Sequence, residues 1–141
     1  MLTLTYPLIG NYAVCRDHLE SASPKIEGYV IRELCRQPSH WSSDTNLDEW
    51  LRDASVPGIE FVDTRALTKK IRTLGAMLGA LRVFDLHERF DVSALNDLVG
   101  HIEDPNRHDL IAQVTTDRII WFGPSGKMAV AVVDCGVKNS I

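Results

Sequence analysis

Three cysteines are the first residues that could do chemistry: Cys15, Cys35 and Cys135. Cys135 stands where a nucleophile could stand. The apolar run at 129–133 leads through Asp134 and Gly136 into Lys138, Asn139, Ser140 and Ile141, the pattern of a buried strand entering the first turn of a helix. A helix N-terminus lowers a thiol's pKa and so activates it. A nucleophile elbow, however, needs small residues two positions before and two after, because the strained turn packs tightly. Val133 and Val137 occupy those positions, and residues 136–141 hold no histidine or carboxylate to act as base. Cys135 is therefore expected to be non-catalytic, and all three cysteines, lacking a C-x-x-C pair, are expected to be reduced thiols. The five histidines, His18, His40, His87, His101 and His108, show no H-x-x-x-H or H-E-x-x-H spacing, so no zinc site is expected. Gly126-Lys127 lacks the first glycine and the final hydroxyl residue of a phosphate loop. The carboxylate pairs Asp48-Glu49 and Glu103-Asp104 read as solvated surface.

One cationic stretch stands out, "DTRALTKKIRTLG" at 63–75, where Arg65, Lys69, Lys70 and Arg72 lie close together. Opposite a Leu67, Ile71 and Leu74 stripe these charges fit a solvated helix face. They also fit a contact with a partner protein, and Arg65 and Thr68 are the residues placed at such a contact.

Positioning these residues requires the elements around them. Residues 2–6 alternate like a half-buried strand that Pro7 ends, and 26–35 form a second strand centred on Tyr29, Val30 and Ile31. Asn46 caps a helix with Glu49 three residues on, its Leu47, Trp50, Leu51 and Ala54 sharing a face, and Val56-Pro57-Gly58 stop it. Residues 59–62 form a short strand. Asp63 or Thr64 caps a second helix, ended by Gly75. Residues 76–84 read as a strand broken at Gly79, and Asp91 caps a third helix with Val92, Leu95, Leu98 and Val99 inward. Residues 118–122 form a further strand, and 123–127, Gly-Pro-Ser-Gly-Lys, make a turn-rich linker between domains.

The whole chain has 141 residues, 45% of them hydrophobic and 24% charged, with a formal charge of -4. That composition suits a globular protein and offers no general attraction for nucleic acid or an anionic membrane. No apolar run approaches the roughly 20 residues that span a bilayer, and the N-terminus has no basic and long apolar leader. A cytoplasmic location is expected.

Five blocks point further: "LTLTYPLIGNY" at 2–12, "PSHWS" at 38–42, "LDEWL" at 47–51, "PGIEFVDTRALTKKIRTLGAMLG" at 57–79 and "VVDCGVKNSI" at 132–141. In that order they closely resemble the small, glutamine-hydrolysing chain of carbamoyl-phosphate synthase, or the matching segment of the fused pyrimidine enzyme of eukaryotes. The most specific stretch is D-T-R-x-L-T-x-x-[IL]-R-x-x-G at 63–75.

The resemblance implies an α/β fold of α+β-like character: a β-rich small-chain N-terminal domain with several helices at 1–122, lacking its first strands, the linker at 123–127, and at 128–141 the first strand of a flavodoxin-like class I glutamine amidotransferase domain. In the family, the cysteine nucleophile of a G-x-C-x-G elbow and an H-x-E pair lie downstream of the position matched by Ile141, and a glutamine-contacting serine precedes the L-T-Y-P segment. It follows that the chain is a fragment that holds no catalytic, substrate-binding, cofactor-binding or metal-binding residue. ATP and magnesium are used by the large chain of the family. The partners implied are that large chain and the remainder of the glutaminase domain. A self-sufficient binding module that keeps the fold without the enzyme is the alternative.

Overall fold

The computed structural model describes residues 1–89, 91–123, 126 and 128–141. The chain divides into two compact units, Met1–Ile102 and Glu103–Ile141. The division falls upstream of the 123–127 linker, of which Pro124, Ser125 and Lys127 lie outside the described residues.

The first unit is a mixed α/β arrangement built on parallel strand pairs. β1 (Leu2–Thr3), β3 (Tyr29–Val30) and β5 (Gly58–Ile59) form one sheet in the order β1-β3-β5. β2 (Leu8–Ile9) pairs with β4 (Glu33–Leu34) in a second. Both ladders of the larger sheet are parallel, with Leu2 opposite Tyr29 and Tyr29 opposite Gly58. Parallel neighbours need a crossover of a dozen or more residues. Between β3 and β5 that crossover contains α1 (Leu47–Asp53). Leu51 from α1 enters the core with Ile9, Tyr29 and Ile31, and Leu34, Leu47, Trp50 and Val56 pack around them. Burial of the Tyr29 phenol pushes its pKa above the ordinary 10.0.

Helix ends follow local chemistry. The Asn46 side chain accepts from the Glu49 N–H at 2.8 Å, and the Glu49 carboxylate accepts from the Thr45 hydroxyl at 2.8 Å. The Thr45 hydroxyl first, and the Asn46 backbone after it, hold Glu49 below the ordinary 4.5. The far end of α1 closes before the expected Val56-Pro57-Gly58 stop. Val56 N–H donates to the Leu51 carbonyl and Ser55 N–H to that of Arg52, at 2.8 and 2.9 Å, with Ser55 at φ 56. This is the Schellman arrangement, and Val56 joins the core beside Leu51, as the residue after the left-handed position commonly does.

α2 (Thr64–Leu74) is capped by Asp63, whose carboxylate accepts from the Ala66 N–H at 2.9 Å, and it packs beside β1. Gly75 ends it at φ 81, donating to the Ile71 carbonyl at 2.8 Å. Thr64 is 2% exposed, and Leu67, Thr68 and Ile71 are half-buried. Leu74, expected in the same stripe, is 64% exposed, because the buried face closes one turn earlier. α3 (Val92–Gly100) is capped by Asp91 as expected, with Leu95 and Val99 half-buried but Val92 and Leu98 exposed.

Several expected strands are shorter or missing. The strand at 2–6 is Leu2–Thr3, that at 26–35 divides into β3 and β4, and that at 59–62 is Gly58–Ile59. Residues 76–84, 118–122 and 129–133 have no regular structure. An apolar run supplies strand propensity, but a strand exists only where a neighbour completes its hydrogen-bond ladder. Among the described residues no helix is long and apolar enough to cross a membrane.

In the second unit, Asp104 caps a 3-10 turn at Pro105–Arg107, and Asp134 organises the last turn. Asp134 accepts from the N–H groups of Gly136 and Val137, each at 2.8 Å, and of Thr116 at 2.7 Å. The Val137 contact first, then those of Thr116 and Gly136, hold its carboxyl below the ordinary 3.8. A carboxylate depressed on folding stabilises above its unfolded pKa and loses that contribution as pH falls through the folded one. An NMR titration of the Thr116 and Val137 amide resonances should therefore show a midpoint below 3.8. A midpoint at or above that value would contradict the turn.

Candidate docking surface

The concave surfaces of the first unit were candidates for a small-molecule site. The larger is a cavity of about 430 Å³ between α1 and the end of the β3-β5 pair, with Tyr29, Ile31 and Leu51 in its lining. Its charged groups are already engaged. Arg36 pairs with Glu60, whose other carboxylate oxygen accepts from the Leu34 N–H at 3.1 Å, and Arg52 pairs with Asp48 at 2.7 Å. Glu60 thus ties β4 to the segment after β5. These pairs close charges on one another rather than on a ligand.

The blocks that singled out the sequence lie largely on the surface. In "PSHWS", Trp41 is 88% exposed, and the His40 ring stands edge-on to Tyr12 at 5.4 Å and tilted to Trp41 at 5.5 Å. The Ser42 N–H lies 3.3 Å from His40 Nδ1 and its hydroxyl 2.8 Å away, which ties the ring to its own loop. This fixes the histidine as part of a loop clamp. Tyr12 and Trp41 are distant in sequence, and each stands against His40, near the Val14 to Thr45 bridge.

Around α2 the two residues named from the sequence differ. Arg65 is exposed, whereas Thr68 is half-buried, with its Oγ1 out of solvent and without a hydrogen-bond partner among the described residues. Just before the helix, Phe61 is 81% exposed at φ 66, its N–H donating to the Arg32 carbonyl at 2.8 Å. Sequence reading passed over Phe61, because an apolar residue in a short strand pattern looks like core. Cys135 is exposed, and Cys15 and Cys35 are half-buried; all three are free thiols. Among the described residues no group of three or more histidine, cysteine, aspartate or glutamate side chains could hold a metal ion.

Residues 1–81 match the family described as carbamoyl-phosphate synthase small chain, CPSase domain. Over the full chain the protein is 43% identical to the carbamoyl phosphate synthase small chain of Archaeoglobus fulgidus and 51% identical to that of Fusobacterium nucleatum. It is 38% identical to the pyrimidine-specific small chain of Bacillus subtilis. All of this chain is covered in each alignment, but it spans only 37–38% of the length of these relatives. The chain belongs to the carbamoyl-phosphate synthase small-chain family.

Proposed function

We propose that residues 1–122 are the N-terminal domain of a carbamoyl-phosphate synthase small chain, joined through 123–127 to the opening of a class I glutamine amidotransferase domain at 128–141. Its part in the enzyme is to dock on the large chain and to support the glutaminase. Ammonia from glutamine passes to that large chain, which uses ATP, magnesium and bicarbonate to make carbamoyl phosphate for pyrimidine and arginine synthesis in the cytoplasm. The observation that carries this reading is the similarity, along all 141 residues, to small chains of which they span 37–38%. The exposed side chains of Val130, Val132 and Val133 support it, since an apolar run of this kind belongs against a larger sheet.

Cys135 provides the test. The 141-residue chain and its Cys135→Ser variant are both expected to release no ammonia from glutamine above background. Thiol-dependent release that disappears in Cys135→Ser would overturn the assignment and make the chain an independent amidotransferase.

A further inference from the structure

Two places near α2 hold residues that cost local stability. The first is the charge pattern of the helix. Its sequence, TRALTKKIRTL, contains four cations and no acidic residue, and Arg65, Lys69 and Arg72 recur at i, i+4 and i+7 along one exposed stripe. Like charges four apart on a helix repel, and Arg65 stands in the first turn, where the helix dipole disfavours a cation. Among the described residues none of the four makes an ion pair. α1 arranges its charges the opposite way, with Asp48 and Glu49 in the first turn and Asp48 paired to Arg52.

The second is Phe61, two residues before the Asp63 cap. A bulky side chain at φ 66 is a backbone outlier, and an aromatic ring left 81% exposed gains nothing from burial in this chain. Residues held in such conformations cluster at binding sites. Aromatic residues and arginine are also the side chains most enriched among those that dominate protein interfaces.

We propose that Phe61 and the Arg65-Lys69-Arg72 stripe form one docking edge for a carboxylate-rich protein surface on the synthetase large chain. This rests on the reading that the chain docks there. The phenyl ring supplies the apolar anchor and the cations supply complementary charge, which guides encounter and excludes partners of like sign. A protein surface is favoured over nucleic acid because the relatives are carbamoyl phosphate synthase small chains, which implies a larger protein chain beside them.

Two substitutions separate docking from folding, because each should ease local strain. Arg65→Glu turns the repulsion with Lys69 into a correctly oriented i, i+4 pair and puts a negative charge at the helix N-terminus. Phe61→Gly removes the side chain from the left-handed position. The natural polypeptide that carries these residues is titrated with the large chain by calorimetry at low and high salt. Wild type is expected to bind, and more weakly at high salt. Each variant should keep or raise the melting temperature and bind about tenfold or more weakly, and Arg65→Glu should flatten the salt dependence. Wild-type binding with both variants unchanged would overturn this docking edge while leaving the docking reading intact. No binding by wild type would overturn the docking reading itself, and salt-sensitive binding of wild type to a single-stranded RNA instead would overturn the choice of partner.

Discussion

Leu51→Ala is expected to lower the unfolding free energy of Met1–Ile102 by about 2–5 kcal/mol, the range for a leucine removed from a packed core. The core of this unit is small: Ile9, Tyr29, Ile31 and Leu51 are its buried cluster. Leu51 is the residue through which α1, within the β3-β5 crossover, packs against Tyr29 and Ile31, so its loss opens a cavity between helix and sheet. Alanine is the best helix former, and α1 therefore loses packing without losing helix propensity. Native domains have only about 5–15 kcal/mol of stability, which makes this a large fraction. Urea unfolding followed by far-UV circular dichroism measures it. A loss below about 1 kcal/mol would mean that Leu51 is not packed as described.

Gly10→Ala is the second large effect, with an expected cost of about 2–5 kcal/mol from two sources. Gly10 has φ 88, a conformation that L-residues adopt at a cost of about 1–2 kcal/mol. A Cβ there would also meet Leu47 Cβ at 3.2 Å and Leu34 Cδ1 at 3.6 Å. Leu47 Cβ is fixed by the first residue of α1 and cannot rotate away, so overpacking adds about 1–3 kcal/mol. Gly75 provides the comparison. It has φ 81 and ψ -173, a region that side chains avoid, yet a Cβ there would find nothing within 4 Å, so Gly75→Ala should show a backbone cost without any steric one. A loss below about 1 kcal/mol for Gly10→Ala in urea unfolding would contradict both costs at Gly10.

What the amino-acid order reveals follows from how local each interaction is. The caps at Asn46, Asp63 and Asp91 were legible because a side chain reaches a backbone N–H only two or three residues on. Gly75 was legible because the positive φ that ends a helix favours glycine at that one position. The stop of α1 was not, because Ser55 takes the left-handed position that glycine usually marks. Strands were read too long, since their ends are set by partners distant in sequence. Residues 129–133 show this most plainly: five apolar residues carry the pattern of a buried strand and yet have no ladder. At the surface, the cationic stripe of α2 was legible from periodicity, and Arg65 is exposed as its place in that stripe requires. Thr68 was less so, as it lies at the margin between the stripe and the buried face. Phe61 could not be found from pattern, because its exposure depends on a backbone conformation that composition does not announce.

The central claim, that these residues serve a small chain by docking on a carbamoyl-phosphate synthase large chain, is tested most directly by sedimentation velocity of the natural polypeptide mixed with that large chain. A single faster species containing both polypeptides is expected at micromolar concentration. Two species that sediment independently at every concentration tested would contradict it.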